Sequence, residues 1–176
     1  MAAPAFVAQL NQQLKHEFEA QQQYIAIATH YEALTMPQMA SLFYQQALEE
    51  RDHAMMMVQY LLDADETPII PALDAPVVGF ADVVEPVATA LAQEKRVTEQ
   101  INELTRIARE NNDFASDQFM QWFIKEQVEE VSKMSDLLAV VTRSKEDYER
   151  IEDWIAREDK GAGEDPTAPP VAGGRA

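Results

Sequence analysis

The chain contains no cysteine, and only five glycines in 176 residues. The missing thiols exclude a disulfide framework, thiolate metal sites and thiol nucleophiles, and they are compatible with a cytoplasmic location. Before residue 161 the only glycine is Gly79, which points to long uninterrupted helices rather than hairpins. No apolar run approaches the roughly 18 residues of a transmembrane helix. The opening Met1-Ala2-Ala3-Pro4 lacks the basic start of a secretory signal. Basic residues are scarce: 14 Lys and Arg face 31 Asp and Glu, a net charge of −17. That balance disfavours nucleic acid and anionic membrane as partners and favours cations. Most such charge is ordinarily solvated surface. The 47% of hydrophobic residues is too high for a disordered acidic chain and suits one domain with a real core.

Four long segments repeat their apolar residues at helical spacing. The first runs from Pro4 to about Leu34, and the second follows Thr35-Met36-Pro37 to about Asp63. A third opens on Asp82-Val83-Val84-Glu85, a capping-box pattern, and ends near Asn111-Asn112. The fourth spans about Asp113 to Arg143. A shorter fifth opens on Ser144-Lys145-Glu146-Asp147, with Tyr148, Ile151 and Ile155 on one face. The short connections make the first and second segments, and the third and fourth, antiparallel hairpins. Between the hairpins lie about 18 residues, Ala64 to Ala81, with Pro68, Pro71 and Pro76. Extended, they reach roughly 60 Å, against about 39 Å for a helix of roughly 26 residues. The loop can therefore return along the bundle. The expected fold is all-α: a four-helix bundle with one long crossover loop and a short fifth C-terminal helix. The domain is expected over residues 1–160. Residues 161–176, rich in Gly, Pro and Ala, read as a tail without fixed structure.

Each long helix carries a glutamate inside its apolar seam. Glu17 follows Leu10 and Leu14, Glu50 lies between Ala47 and Ala54, Glu94 follows Leu91, and Glu130 lies between Phe123 and Met134. No seam carries Lys or Arg. All four sit near mid-helix, so they meet at one height whichever way the helices run. His53, one turn after Glu50, completes Glu50-x-x-His53 on adjoining faces. Buried and unpaired, each carboxylate would cost several kcal/mol. Protonation, hidden cations or bound metal are the ways out. Two divalent ions cancel four carboxylates, and oxygen ligands with one imidazole suit iron or manganese.

The segments HEFEAQQQY (16–24), ALEERDHAMMMVQYLLD (47–63), AQEKRVTEQINEL (92–104) and FMQWFIKEQVEEV (119–131) resemble those of ferritins, in the non-haem bacterial type. The Gly/Pro-rich C-terminal extension is similar to that of actinobacterial ferritins. The resemblance covers roughly residues 6–158 and implies the ferritin-like fold and a hollow cage of 24 subunits. Such cages store a ferric mineral and oxidise Fe(II) with dioxygen or peroxide at a di-iron ferroxidase centre. It implies Glu17, Glu50 and His53 as ligands of a first iron, with Glu50 bridging. Glu94 and Glu130 match the ligands of a second, with Gln127 beside them to hold solvent or oxygen species. Tyr24 matches a tyrosine that supplies an electron, although as a core residue it needs no such role. Glu49, Glu126 and Glu129, sharing Glu130, match a third iron site. From the residues alone these three read equally as a solvated acidic face. Trp122 matches a tryptophan near the family's site, and packing accounts for it as well. Arg51 stands where bacterioferritins carry a haem-binding methionine, so no haem is expected. Two alternatives stay open: a storage shell with an idle centre, and a di-iron redox enzyme acting on peroxide or a small substrate.

Overall fold

The computed structural model describes residues 2–158 and 165–175. Its elements are five helices: α1 (Pro4–Ala33), α2 (Pro37–Asp63), α3 (Glu85–Glu110), α4 (Phe114–Arg143) and α5 (Tyr148–Glu158). Helices α1 and α2 pack as one hairpin, α3 and α4 as the other, α1 also lies against α3, and α5 sits on α2. The architecture is the all-α bundle with a crossover and a short fifth helix that the periodicity predicts.

A chain so poor in glycine must end its helices with other residues. Thr35, Asp65 and Asn112 adopt the left-handed conformation, with φ of 59°, 62° and 54°. The next residue in each case bonds back five positions: Met36 N to Tyr31 O, Glu66 N to Leu61 O, and Asp113 N to Ala108 O. These are Schellman closures, ordinarily built on glycine. Asn and Asp tolerate the left-handed region through their short polar side chains. The β-branched Thr35 is the strained member of the set.

Helix α3 begins two residues later than the capping-box pattern predicts, with Val84 rather than Asp82 at its N-cap. Asp82 Oδ1 accepts hydrogen bonds from the amides of Val84 (2.8 Å) and Glu85 (2.9 Å), while Glu85 Oε2 accepts from Ala81 N at 2.6 Å. Both carboxylates thus cap the bend that precedes the helix. At the start of α4, Asp113 accepts from Ser116 N and also holds the amide of Ala3 at 2.8 Å.

The crossover follows α1 for most of its length. Asn11 Oδ1 accepts from Ile69 N, Lys15 pairs with Asp74 at 2.8 Å, and Gln23 exchanges two bonds with the backbone of Val77. Further along, the Tyr31 hydroxyl donates to Val83 O at 2.7 Å. The polar face of α1 therefore satisfies the loop's backbone groups, which is what a long irregular connection requires. The second hairpin is in this way carried back to the end of the bundle where the loop can start α3.

The tail departs from expectation. Residues 161–164 lie outside the described residues, but 165–175 dock against α2 and α4. Asp165 Oδ2 accepts from Trp122 Nε1 (3.1 Å) and Lys125 Nζ (3.2 Å). Ala172 N donates to Met55 O (3.1 Å), and Arg51 Nη1 donates to Gly174 O (3.1 Å). Ala168, Val171 and Ala172 join the core cluster beneath them. Composition alone misleads because Pro166, Pro169 and Pro170 stiffen the free tail and so lower the entropy lost on docking.

Candidate metal centre

The core is split in two. One apolar cluster gathers Tyr24, Phe43, Leu91 and Met134 with α5, the other Leu14, Ala54, Val97 and Phe123 with the tail. Between them, on every long helix, lies the polar belt: Glu17, Glu50, His53, Glu94, Gln127 and Glu130, each 5% exposed or less. The mid-seam glutamates are therefore interior residues, not misregistered surface.

His53 organises one half of the belt. Its Nδ1 lies 3.4 Å from Glu50 Oε2 and 3.7 Å from Glu17 Oε2. Among the described residues one group of three or more carboxylate and histidine side chains brings its ligand atoms within 4.8 Å of one another: Glu17, Glu50 and His53. Burial alone would lower the imidazole's affinity for protons. Hydrogen bonds to Glu17 and Glu50 and their charges overcome it and raise its pKa well above the usual value. Burial likewise works to raise Glu17, yet the bond to His53 holds it below the ordinary range. Glu50 is pushed far up by burial and by the charge of Glu94. The backs of these side chains are packed and bonded. Gln13 Nε2 donates to Glu17 Oε1 at 2.8 Å, and the edges of Trp122 and Phe123 meet the His53 ring at 5.6 and 5.8 Å between centroids.

The other half has no imidazole. Glu94 accepts a hydrogen bond from the Tyr24 hydroxyl and, at 3.5 Å, one from Gln127 Nε2. Thr98 Oγ1 fixes the amide by donating to Gln127 Oε1 at 3.0 Å. Burial pushes Glu94 up to about 7, and Glu130 and Glu17 add to the rise while Tyr24 opposes it. The Tyr24 hydroxyl, buried among Glu94, Glu50 and Glu130, is raised far above its usual value. Glu130 Oε2 is buried without a hydrogen-bond partner among the described residues, and Glu17 Oε2 has only the His53 imidazole, 3.7 Å away. Under-satisfied anionic oxygens on both halves are what a cation-binding site provides.

The residues matched to a third site are less tightly grouped. Glu49, Glu126 and Glu129 line, with Glu130 and His53, a cavity of about 350 Å³. Glu49 accepts a hydrogen bond from Gln46 Nε2, and Glu129 is 63% exposed with Lys125 4.0 Å away. Burial raises both Glu49 and Glu126 above the ordinary carboxyl range. Gln13, Thr98 and Lys133 touch belt residues, and none is singled out by its seam pattern. Gln13 stands four residues before Glu17, the helical spacing at which a side chain reaches its neighbour. That spacing was the available signal.

Fold and belt together define a helical-bundle protein with a candidate carboxylate–histidine metal centre. Residues 7–144 match the Ferritin-like domain family. The chain is 50% identical over 169 residues to "Ferritin BfrB" of Mycolicibacterium smegmatis, a match covering 96% of this chain and 93% of the relative. It is 33% identical over 147 residues to a "Bacterial non-heme ferritin" of Staphylococcus epidermidis, covering 84% and 89%. Among solved structures, an open pore ferritin from the archaeon Archaeoglobus fulgidus shares the fold with a TM-score of 0.87. That match is 23% identical and covers 92% of this chain and 100% of the other. The chain belongs to the ferritin family, whose members bind iron, and its relatives place it among the bacterial ferritins.

Proposed function

We propose that the chain is an iron-storage ferritin that oxidises Fe(II) at the buried belt and keeps the ferric product inside a cytoplasmic cage of 24 subunits. The observation that carries this reading is the burial of four carboxylates, one from each long helix, between the two apolar clusters, with Glu17 and Glu50 gathered around His53. Once deprotonated, the four carboxylates carry four negative charges around a neutral His53, and two divalent ions offset them. The donor set is oxygen with one nitrogen, which suits iron. Hard anionic oxygens stabilise Fe(III) more than Fe(II), and that lowers the barrier to electron loss.

Glu17, Glu50 and His53 would hold one Fe(II), Glu94 and Glu130 the other, with Glu50 between them. His53 must release its proton, and so must the raised carboxyls of Glu50 and Glu94, so metal binding liberates protons at neutral pH. Two Fe(II) give up two electrons, which reduce dioxygen to the level of peroxide, or peroxide to water. Gln127, held by Thr98, is positioned beside Glu94 to hydrogen-bond solvent or the oxidant. Tyr24 keeps its proton and orients Glu94. A cage of this chain would carry 24 charges of −17, a field that draws cations inward. Arg51, turned to Asp52 and the carbonyl of Gly174, supports a chain without haem.

The test mixes metal-free protein with Fe(II) in air and follows Fe(III) formation. The wild type oxidises iron rapidly, and Glu50→Ala combined with His53→Ala abolishes the fast phase. Equal rates in the two proteins would sink the assignment. Size-exclusion chromatography reads the assembly: 24 copies of 19.8 kDa elute at about 475 kDa, and a monomer or dimer contradicts the cage.

A further inference from the structure

Lys133 stands one turn beyond Glu130 on α4, next to the seam residue Met134. Its ammonium lies 3.8 Å from Glu49 Oε2 and 3.9 Å from Glu130 Oε1. Those two carboxylates belong to the set matched to a third iron. The cavity they line also holds Glu126 and Glu129, so it is strongly acidic, and Lys133 is on its wall. The two oxygens of Glu130 are divided between different neighbours. Oε1 faces Lys133, while Oε2 is buried without a hydrogen-bond partner among the described residues.

We propose that Lys133 is a tethered cation that takes the place of a third metal ion on Glu49 and Glu130, so that each subunit binds two iron ions rather than three. This rests on reading the belt as an iron centre. An ammonium within 4 Å of both carboxylates leaves little room for a divalent ion, which must approach its oxygens to about 2.0–2.2 Å. A positive charge at that separation also repels the incoming ion. The distances exceed those of short hydrogen bonds, so the ammonium is shared between the two carboxylates rather than locked to either. The Lys133 side chain is 42% exposed and free to swing outward. Exclusion is therefore a competition for the same oxygens, and Glu130 Oε2 is left to the dinuclear belt.

The experiment counts bound ions on the intact assembly by anaerobic calorimetry with Fe(II). The wild type takes up two tight ions per subunit. Lys133→Met keeps the length and apolar stem but removes the charge. It gains one further ion, bound at least tenfold more tightly than any third ion of the wild type. Lys133→Arg keeps the charge and behaves as wild type. Adding Glu49→Gln to Lys133→Met removes the gained ion. Identical counts for wild type and Lys133→Met would overturn the proposal, and so would a gained ion that survives Glu49→Gln. The comparison is repeated with Zn(II) in a Glu50→Ala, His53→Ala background, where the dinuclear pair is already lost. A gain of one Zn(II) on Lys133→Met in that background supports the role of Lys133, and an unchanged count overturns it, whatever the oxidation assay says of the belt.

Discussion

The two halves of the belt meet the same electrostatic problem with different means. Around His53 the protein supplies its own cation: the imidazole keeps a proton, and Glu17 stays ionised beside it. Three side chains that could hold a metal ion are consequently drawn together. Around Glu94 there is no base. That carboxyl responds by holding its proton up to about pH 7, and it leans on a tyrosine hydroxyl and an amide. Glu17, with the imidazole beside it, stays ionised, whereas Glu94, with no base beside it, is neutralised by protonation.

The sharpest way to break this contrast is to remove one ligand from each half. Replacing His53 with alanine takes away both a donor and the group that gathers Glu17 and Glu50. The expected loss of affinity for the first ion exceeds the roughly 10–100-fold that follows removal of an outer partner. Glu130→Ala should cost the second ion while the first binds within a few-fold of wild type. Anaerobic Fe(II) titration of both variants reads the difference. Equal losses at both ions in both variants would mean that the halves are not separable.

The belt also predicts a response to pH in the metal-free protein, in which Glu17 alone opposes the raised groups of both halves. Glu94 has a folded pKa raised from 4.5 to about 7. Between those values the folded state binds a proton that the unfolded chain has released, so stability falls as pH rises through the window. The full effect corresponds to roughly 3 kcal/mol. Glu50, also raised, acts in the same direction. Glu17 is lowered, so its contribution is present above 4.5 and is lost only as pH falls through its depressed pKa. His53, raised by its two carboxylates, loses its contribution, like Glu94, as pH rises from 6.5 through its raised pKa. The melting temperature of metal-free protein should therefore be lower at pH 8 than at pH 5, and Glu94→Gln should flatten the fall. Zn(II) should raise it most at pH 8, where Glu94 has already lost its proton. A melting temperature that climbs from pH 5 to 8 in wild type contradicts the assignment of Glu94.

The fold and the centre of the belt were legible in the sequence for one reason. Seam positions are fixed by helical periodicity, and an acid in a seam has nowhere to go but inward. Glu17, Glu50, Glu94 and Glu130 all obey that logic, and each is buried. The crossover was legible from its length alone, although its ladder of bonds to Asn11, Lys15 and Gln23 was not. What escaped lies off the seams. Lys133 reaches the belt's edge through a long flexible stem, so its Cα position says little about where its charge sits. Asp165 acts across the chain on Trp122 and Lys125, a pairing that no local pattern encodes. The start of α3 was misplaced because Asp82 caps a bend as readily as a helix, and the hydrogen bonds of the two differ by a single residue of register.

The smallest expected effect tests whether the tyrosine stands in for the missing base. Tyr24 packs against Phe43, with ring centroids 5.7 Å apart, and its hydroxyl donates to Glu94. Tyr24→Phe keeps the ring and removes only the donor. A hydrogen bond to a charged group contributes about 1.5–3 kcal/mol, and at neutral pH Glu94 is only partly ionised, so the loss should lie near the lower figure. Without the hydroxyl, Glu94 loses a bond that favours its charged form, and its pKa rises further. The destabilisation should therefore be larger at pH 8 than at pH 5, where the carboxyl is neutral and can itself donate. The first ion should bind as in wild type, since Tyr24 has no bond to Glu17, Glu50 or His53 among the described contacts. A variant as stable as wild type at both pH values would assign Tyr24 to packing alone, and the Glu94 half of the belt would then lack any donor that favours its ionised form apart from Gln127.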